Sequence, residues 1–212
     1  MALFLGYDPG GKGKNGVAAI QVVSDTPKIV DKATVRDAAE ALSWLQAHIK
    51  TAVALGIDTL LAWSPKGGRA CDDALRRKYG GNSIVAQNSL YSSMTLNGAI
   101  VAKRLGLPVY ESHPKLLLRV SGENAIREIY QDALASSGED HEGDAIVAAW
   151  CAARLLYARL NHSHFFKSMG PEPSCPCWPG MADRDRHRYT CARRTPDCAT
   201  PAATGRLCRA RC

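Results

Sequence analysis

The stretch GYDPGGKGKNG, Gly6–Gly16, lies between two apolar, β-branched runs, LFLGYD and GVAAIQVV. It fits G-x-G-x-x-G and falls one residue short of a Walker A loop. A dinucleotide-binding fingerprint needs its glycines to open a helix, so that the pyrophosphate sits at the helix N-terminus. It also needs an acidic residue that ends a following strand ~20 positions on, and none is so placed here. A Walker A loop needs Ser or Thr after its Lys, whereas Lys12 is followed by Gly13. A strand sequence follows the glycines in either alignment. The stretch therefore reads as a hairpin, with Gly and Asn supplying the positive φ that such turns require. Asp8 is left at the end of the first strand. Lys12 and Lys14 hang beside it, either as solvated turn charges or as contacts for phosphate.

The rest of the chain follows from that start. Leu3–Asp8, Gly16–Val23 and Pro27–Val35 read as three strands with tight links, a β-meander. At Asp37 the hydrophobic period changes. Ala38, Ala41, Leu42, Leu45 and Ile49 share one helical face, and Asp37 with Glu40 resembles a capping box. Thr51–Asp58 reads as a buried strand, Thr59–Ala70 as a loop, Cys71–Tyr79 as a short helix and Leu90–Leu105 as a longer one. Leu107–Glu111 is a short strand after a Gly-Leu-Pro break, and Glu123–Ala135 a helix. Asp144–Leu160 is apolar nearly all round and predicts a well-buried helix. The order is β β β α β α β α. That is the ribonuclease H-like order, an α/β fold with a five-stranded mixed sheet flanked by helices.

Composition bounds the setting. No apolar run reaches the ~18 residues of a membrane span, and no basic segment precedes an apolar N-terminal run, so a cytoplasmic, non-membrane protein is expected. The chain of 212 residues carries a net charge of +7, of which the segment from Pro171 onward contributes +4 (8 Arg, no Lys, 4 acidic residues). The body is only mildly basic, which allows a nucleic-acid partner without demanding one, and it shows no aromatic-interleaved basic stripe. Cys71 and Cys151 are isolated in the body, while six cysteines crowd into the last 38 residues. A ribonuclease H-like domain over 1–165 and a Cys/Arg/Pro-rich tail over 166–212 are expected. For the tail, a zinc site has only one pair, Cys208 and Cys212, at C-x₂₋₄-C spacing. Disulfides would need an oxidising compartment. A disordered basic tail and an out-of-frame reading of GC-rich coding sequence are the plainer alternatives.

Metal-assisted phosphodiester cleavage needs several carboxylates at one point, because hard cations take oxygen ligands and paired ions clamp the attacking and leaving oxygens. In an open sheet such side chains converge at the carboxyl ends of parallel strands. Asp8, Asp58 and Glu111 each end an apolar strand, and Asp144 opens the last helix. Each also has a structural reading: a turn former before Pro9, a loop cap, a surface charge, a first-turn helix acid. Three acids at apolar strand ends are harder to dismiss than one. His141 shares a helix face with Asp144 if that helix begins early enough.

The pieces GYDPGGKGKNGVA, GIDTLLAWSPKGGRACDDALRR, VYESHPK and EGDAIVAAWCAARL, in that order, resemble the bacterial "domain of unknown function 429" proteins, described as nucleases of ribonuclease H-like fold. The resemblance spans residues 1 to about 165. It implies an acidic cluster of Asp8, Asp58, Glu111 and Asp144, and Arg69 as a phosphate contact. Two positions depart from the family pattern: Thr59 stands where Ile-Asp-x-Pro-Leu has a residue before its proline and Leu60 stands at that proline, and Lys115 replaces the last acid of Glu-x-x-Pro-Glu. His141-Glu142-Gly143-Asp144 is also similar to the acidic start of the last helix in RuvC-type resolvases. The carboxylate pattern, together with the resemblance, leads to an expected site for Mg²⁺ or Mn²⁺, with Asp8 bridging two ions, Asp58 and Asp144 holding one each, Glu111 or His141 orienting water, and Lys12, Lys14 and Arg69 on phosphates. Two other readings stay open. One is a non-catalytic nucleic-acid- or protein-binding module on this fold. The other is a nucleotide-binding protein of the sugar kinase and actin type, which needs two lobes where this body has room for one.

Overall fold

The computed structural model describes residues 2–61, 69–80 and 92–161. They belong to the unit Met1–Ala182. The expected boundary at 165/166, the tail with its six cysteines, most of the Thr59–Ala70 loop and the start of the Leu90–Leu105 helix lie outside the described residues.

The chain forms β1 (Leu3–Asp8), β2 (Asn15–Val23) and β3 (Thr26–Val35) as an antiparallel meander. Then come α1 (Ala38–Ala47), a 3₁₀ turn (Ile49–Thr51), β4 (Ala52–Ile57), α2 (Ala70–Tyr79) and α3 (Ser92–Leu105). β5 (Val109–Glu111), α4 (Pro114–Val120), α5 (Asn124–Ser137) and α6 (His141–Asn161) complete it. The sheet order is β3-β2-β1-β4-β5, with β4 parallel to both β1 and β5. The β2–β3 turn places Ser24 and Asp25 at φ 50° and 65°, the geometry of a tight two-residue hairpin. Asp37 caps α1 by accepting from the Ala39 and Glu40 amides, but Glu40 takes the N–H of Arg36 rather than that of Asp37, so the box is displaced by one residue.

Strand alternation divides the core. Phe4, Ala18, Ile20, Ala54 and Tyr110 face α6 and share a core with its Ile146 and Trp150 and with Ile126 and Tyr130 of α5. Leu5, Tyr7, Val17, Leu55, Ile57 and Val109 face the opposite way, under Ala41 and Leu45 of α1 and Val101 and Leu105 of α3. The central strand β1 is buried along its whole length. The all-round apolar character of Asp144–Leu160 follows from α6 lying between the sheet and the α4–α5 layer. It lies unusually close: a Cβ on Gly6, Gly16 or Gly56 would meet the carbonyl oxygen of Ala145, His141 or Ala148 at 1.8, 1.9 and 1.8 Å. Helix α4 was not expected from sequence. Its seven residues start at Pro114, favoured at a first helical position, and bury Pro114, Leu116 and Leu117.

Candidate active site

The first, fourth and fifth strands deliver their last residues to one edge. Tyr7 pairs with Ile57 and Ile57 with Glu111. The ladder continues through Asp58 N–H to the Tyr7 carbonyl at 2.9 Å and Ser112 N–H to the Ile57 carbonyl at 2.8 Å. Asp8 and Asp58 therefore fall on the α6 face of the sheet. Glu111, in phase with Val109, falls on the other.

On the α6 face the acids meet the N-terminal turn of α6, which begins at His141. His141 Nδ1 lies 2.8 Å from Asp8 Oδ2. The bond to Asp8 raises the imidazole's proton affinity, against burial. Burial pushes the Asp8 carboxyl up, opposed by His141 and assisted by Asp140. Asp58 keeps some exposed area, yet burial still drives its carboxyl well above the usual range, and the charges of Asp8 and Asp144 push it further. Burial also pushes Asp144 up to about 7, with Lys115 opposing and Asp8 and Asp140 adding. Lys115, the second residue of α4, places its ammonium 2.9 Å from Asp144 Oδ2 and 2.7 Å from Asp140 Oδ2. It also donates to the Tyr130 hydroxyl and sits 4.9 Å from the centre of that ring.

On the other face Glu111 is fully engaged. Arg69 donates to both of its oxygens, the Leu61 amide lies 2.9 Å from Oε2, and His113 Nε2 lies 3.2 Å from Oε1. Burial opposes ionisation of this carboxyl, but Arg69 and His113 outweigh it and hold it at about 2. The same guanidinium grips Asp72, with Nε at 2.9 Å and a terminal nitrogen at 2.7 Å. Arg69, expected on phosphate, is buried between two carboxylates and joins α2 to β5.

Lys12 and Lys14 are exposed in the β1–β2 loop, as expected of either reading. What holds that loop is Asn15, which sequence reasoning passed over. Its buried side chain accepts from Tyr7 Oη at 2.9 Å and from the Gly10 amide at 3.3 Å, and it donates to the carbonyls of Gly11 and Arg36. Lys115, Tyr130, Asp72 and His113 were also missed as site neighbours. For Lys115 a signal existed, since a cation stood at a position where the resembling family has an acid.

Asp8, Asp58 and Asp144 offer the oxygen donors a hard divalent cation takes, so the donor set fits Mg²⁺ or Mn²⁺ in kind. Among the described residues, however, no three His, Cys, Asp or Glu side chains are gathered around one point as an ion's ligands.

Sheet order and the placement of its acidic edge define the class: an α/β protein of ribonuclease H-like fold. No family model and no curated protein matches the chain. Among the solved structures that resemble it are two of RuvC. Thermus thermophilus RuvC shares 16% identity at a TM-score of 0.42, covering 75% of this chain and 96% of its own. The T. thermophilus RuvC in complex with Holliday junction substrate shares 17% at 0.43, covering 76% and 96%. No helix among the described residues is long and apolar enough to cross a membrane.

Proposed function

We propose that this chain is a divalent-cation-dependent phosphodiesterase acting on nucleic acid. One observation carries the reading: Asp8 and Asp58 end the neighbouring parallel strands β1 and β4 on the face against which the first turns of α6, with Asp144, pack. Carboxylates that repel one another at a strand edge are a place for a cation to enter. Asp8, Asp58 and Asp144 would hold it, and an ion bound there supplies charge for the phosphoryl oxygens and a more acidic water. The chain's own residues do the rest. His141 orients Asp8 through a 2.8 Å contact. Lys12 and Lys14 project beside Asp8 to meet backbone phosphates. Glu111 and Arg69 act as a strut under the edge, since their hydrogen-bonding capacity is spent on each other, Asp72, His113 and the Leu61 amide. The resemblance to the domain of unknown function 429 supports the same reading over residues 1 to about 165, and the buried Cys151 thiol accords with a cytoplasmic setting.

A second reading is favoured by a specific observation. The Lys115 ammonium already neutralises Asp144, and among the described residues no set of three ligands is assembled. A non-catalytic nucleic-acid- or protein-binding module on this fold would have that arrangement. The deciding experiment titrates Mn²⁺ into the full chain, wild type beside Asp8→Asn, and then assays cleavage of duplex, single-stranded and junction DNA and of RNA. The proposal expects cleavage with Mn²⁺ or Mg²⁺ that Asp8→Asn abolishes while its circular dichroism stays native. A folded wild-type chain that cleaves none of these with either ion establishes the second reading instead.

A further inference from the structure

The Lys115 side chain is an odd component for an acidic edge. It is the second residue of α4, its stem is exposed, and its ammonium is turned inward onto Asp140, both oxygens of Asp144 and the Tyr130 hydroxyl. The nearby acids differ in what neutralises them. Asp8 has His141 at 2.8 Å, Glu111 has Arg69 and His113, and Asp58 accepts no hydrogen bond among the described residues. Asp144 has Lys115. A lysine is a compact point charge on a flexible stem, able to leave such a place by rotation about its own bonds. Arg69, clamped at both edges and buried, is not.

We propose that the Lys115 ammonium is the resident counter-ion of the Asp140–Asp144 pair, and that a divalent cation entering the Asp8–Asp58–Asp144 edge must displace it. Lys115 thereby sets the site's affinity for the ion. In the absence of a cation it keeps the acids apart from any shared centre, consistent with no three ligands being gathered among the described residues. When it withdraws, Asp144 is free to turn toward Asp8 and Asp58. Lys115 is a positioning residue that acts through Asp144. The inference rests on the reading that these three aspartates take a divalent cation.

Two measurements on the full chain test it. In the first, Mn²⁺ is titrated calorimetrically into wild type, Lys115→Met and Lys115→Arg. Lys115→Met is expected to bind about tenfold tighter or more, the factor that loss of one competing charge-assisted hydrogen bond represents. Lys115→Arg keeps the charge and is expected to stay near wild type. In the second, wild-type lysines are acetylated with and without Mn²⁺ and read by mass spectrometry. Lys115 should be protected without the ion and labelled several-fold faster with it, while Lys12 and Lys14 stay unchanged. Wild-type binding that Lys115→Met leaves equal or weaker, or binding that leaves Lys115 protected, overturns the inference and spares the phosphodiesterase reading. Binding by Lys115→Met alone supports the inference. Absence of binding in all three variants defeats the inference, and if cleavage is also absent it defeats the phosphodiesterase reading too.

Discussion

At the level of single residues the two faces of the β1–β4–β5 edge put acids to opposite uses. Glu111 is ionised by its surroundings and Asp58 is resisted by them. Replacing Glu111 with Gln removes the charge that faces the buried Arg69 guanidinium and weakens its contacts with Arg69 and His113, although Asp72 still holds the guanidinium. Chemical denaturation should show a loss of about 3 kcal/mol. Asp58→Asn should do the reverse. Its carboxyl is raised well above the usual range by burial and by Asp8 and Asp144, so the amide relieves a penalty. The variant's melting temperature should exceed the wild type's at pH 8 without divalent ion, and the gain should shrink as pH falls and vanish toward pH ~3, where the wild-type carboxyl is protonated in folded and unfolded chain alike. A melting temperature unchanged or lower at pH 8 would mean that Asp58 is already neutralised by a group other than these acids.

At the level of elements, the strands were legible because their signal is local: β-branched alternation bounded by turn residues, with each expected strand found within two residues. The face of α1 was legible for the same reason, as Ala38, Ala41, Leu42, Leu45 and Ile49 all pack on one side of the sheet. The site was only half legible. Sequence showed that Asp8, Asp58 and Glu111 end strands, but not that register sets Glu111 one residue out of phase with the other two. That fact depends on pairing Ile57 with both Tyr7 and Glu111, which no local pattern encodes. Likewise α4 is too short for a helical period to declare itself, and so Lys115 could not be placed. The approach of α6 is another long-range fact. Gly6 and Gly56 look like weak points in strands, yet they are where the helix backbone touches the sheet. Gly56→Ala should force α6 outward and destabilise by about 3 kcal/mol, lowering the melting temperature by roughly 6–12 °C for a chain of this size. By contrast Asp37→Ala, which removes the α1 cap, should lower the melting temperature by less than Gly56→Ala does.

For the whole molecule these local charges sum to an unusual pH profile. Asp144 rises from an ordinary 3.8 to about 7, and Asp8 and Asp58 move in the same direction. The folded chain therefore holds more protons than the unfolded one above pH ~4, and stability falls as pH climbs toward 7. His141, raised from 6.5, adds a loss of the same sign as pH rises from there through its folded value. Glu111, held at about 2 against an ordinary 4.5, acts oppositely, but its contribution is complete once the pH passes that ordinary value. The balance places maximal stability near pH ~4, below the range most proteins show, with a decline toward pH 8 on the order of a few kcal/mol. A cation at the acidic edge would replace the protons lost, because a ligand that binds only the folded chain stabilises it by mass action. Mn²⁺ should thus raise the melting temperature strongly at pH 8 and hardly at pH 5, and Asp8→Asn should blunt that difference. A wild-type melting temperature that climbs steadily from pH 5 to pH 8 without divalent ion would show that the acids of this edge are not competing for protons, and that the carboxylates are satisfied by the protein alone.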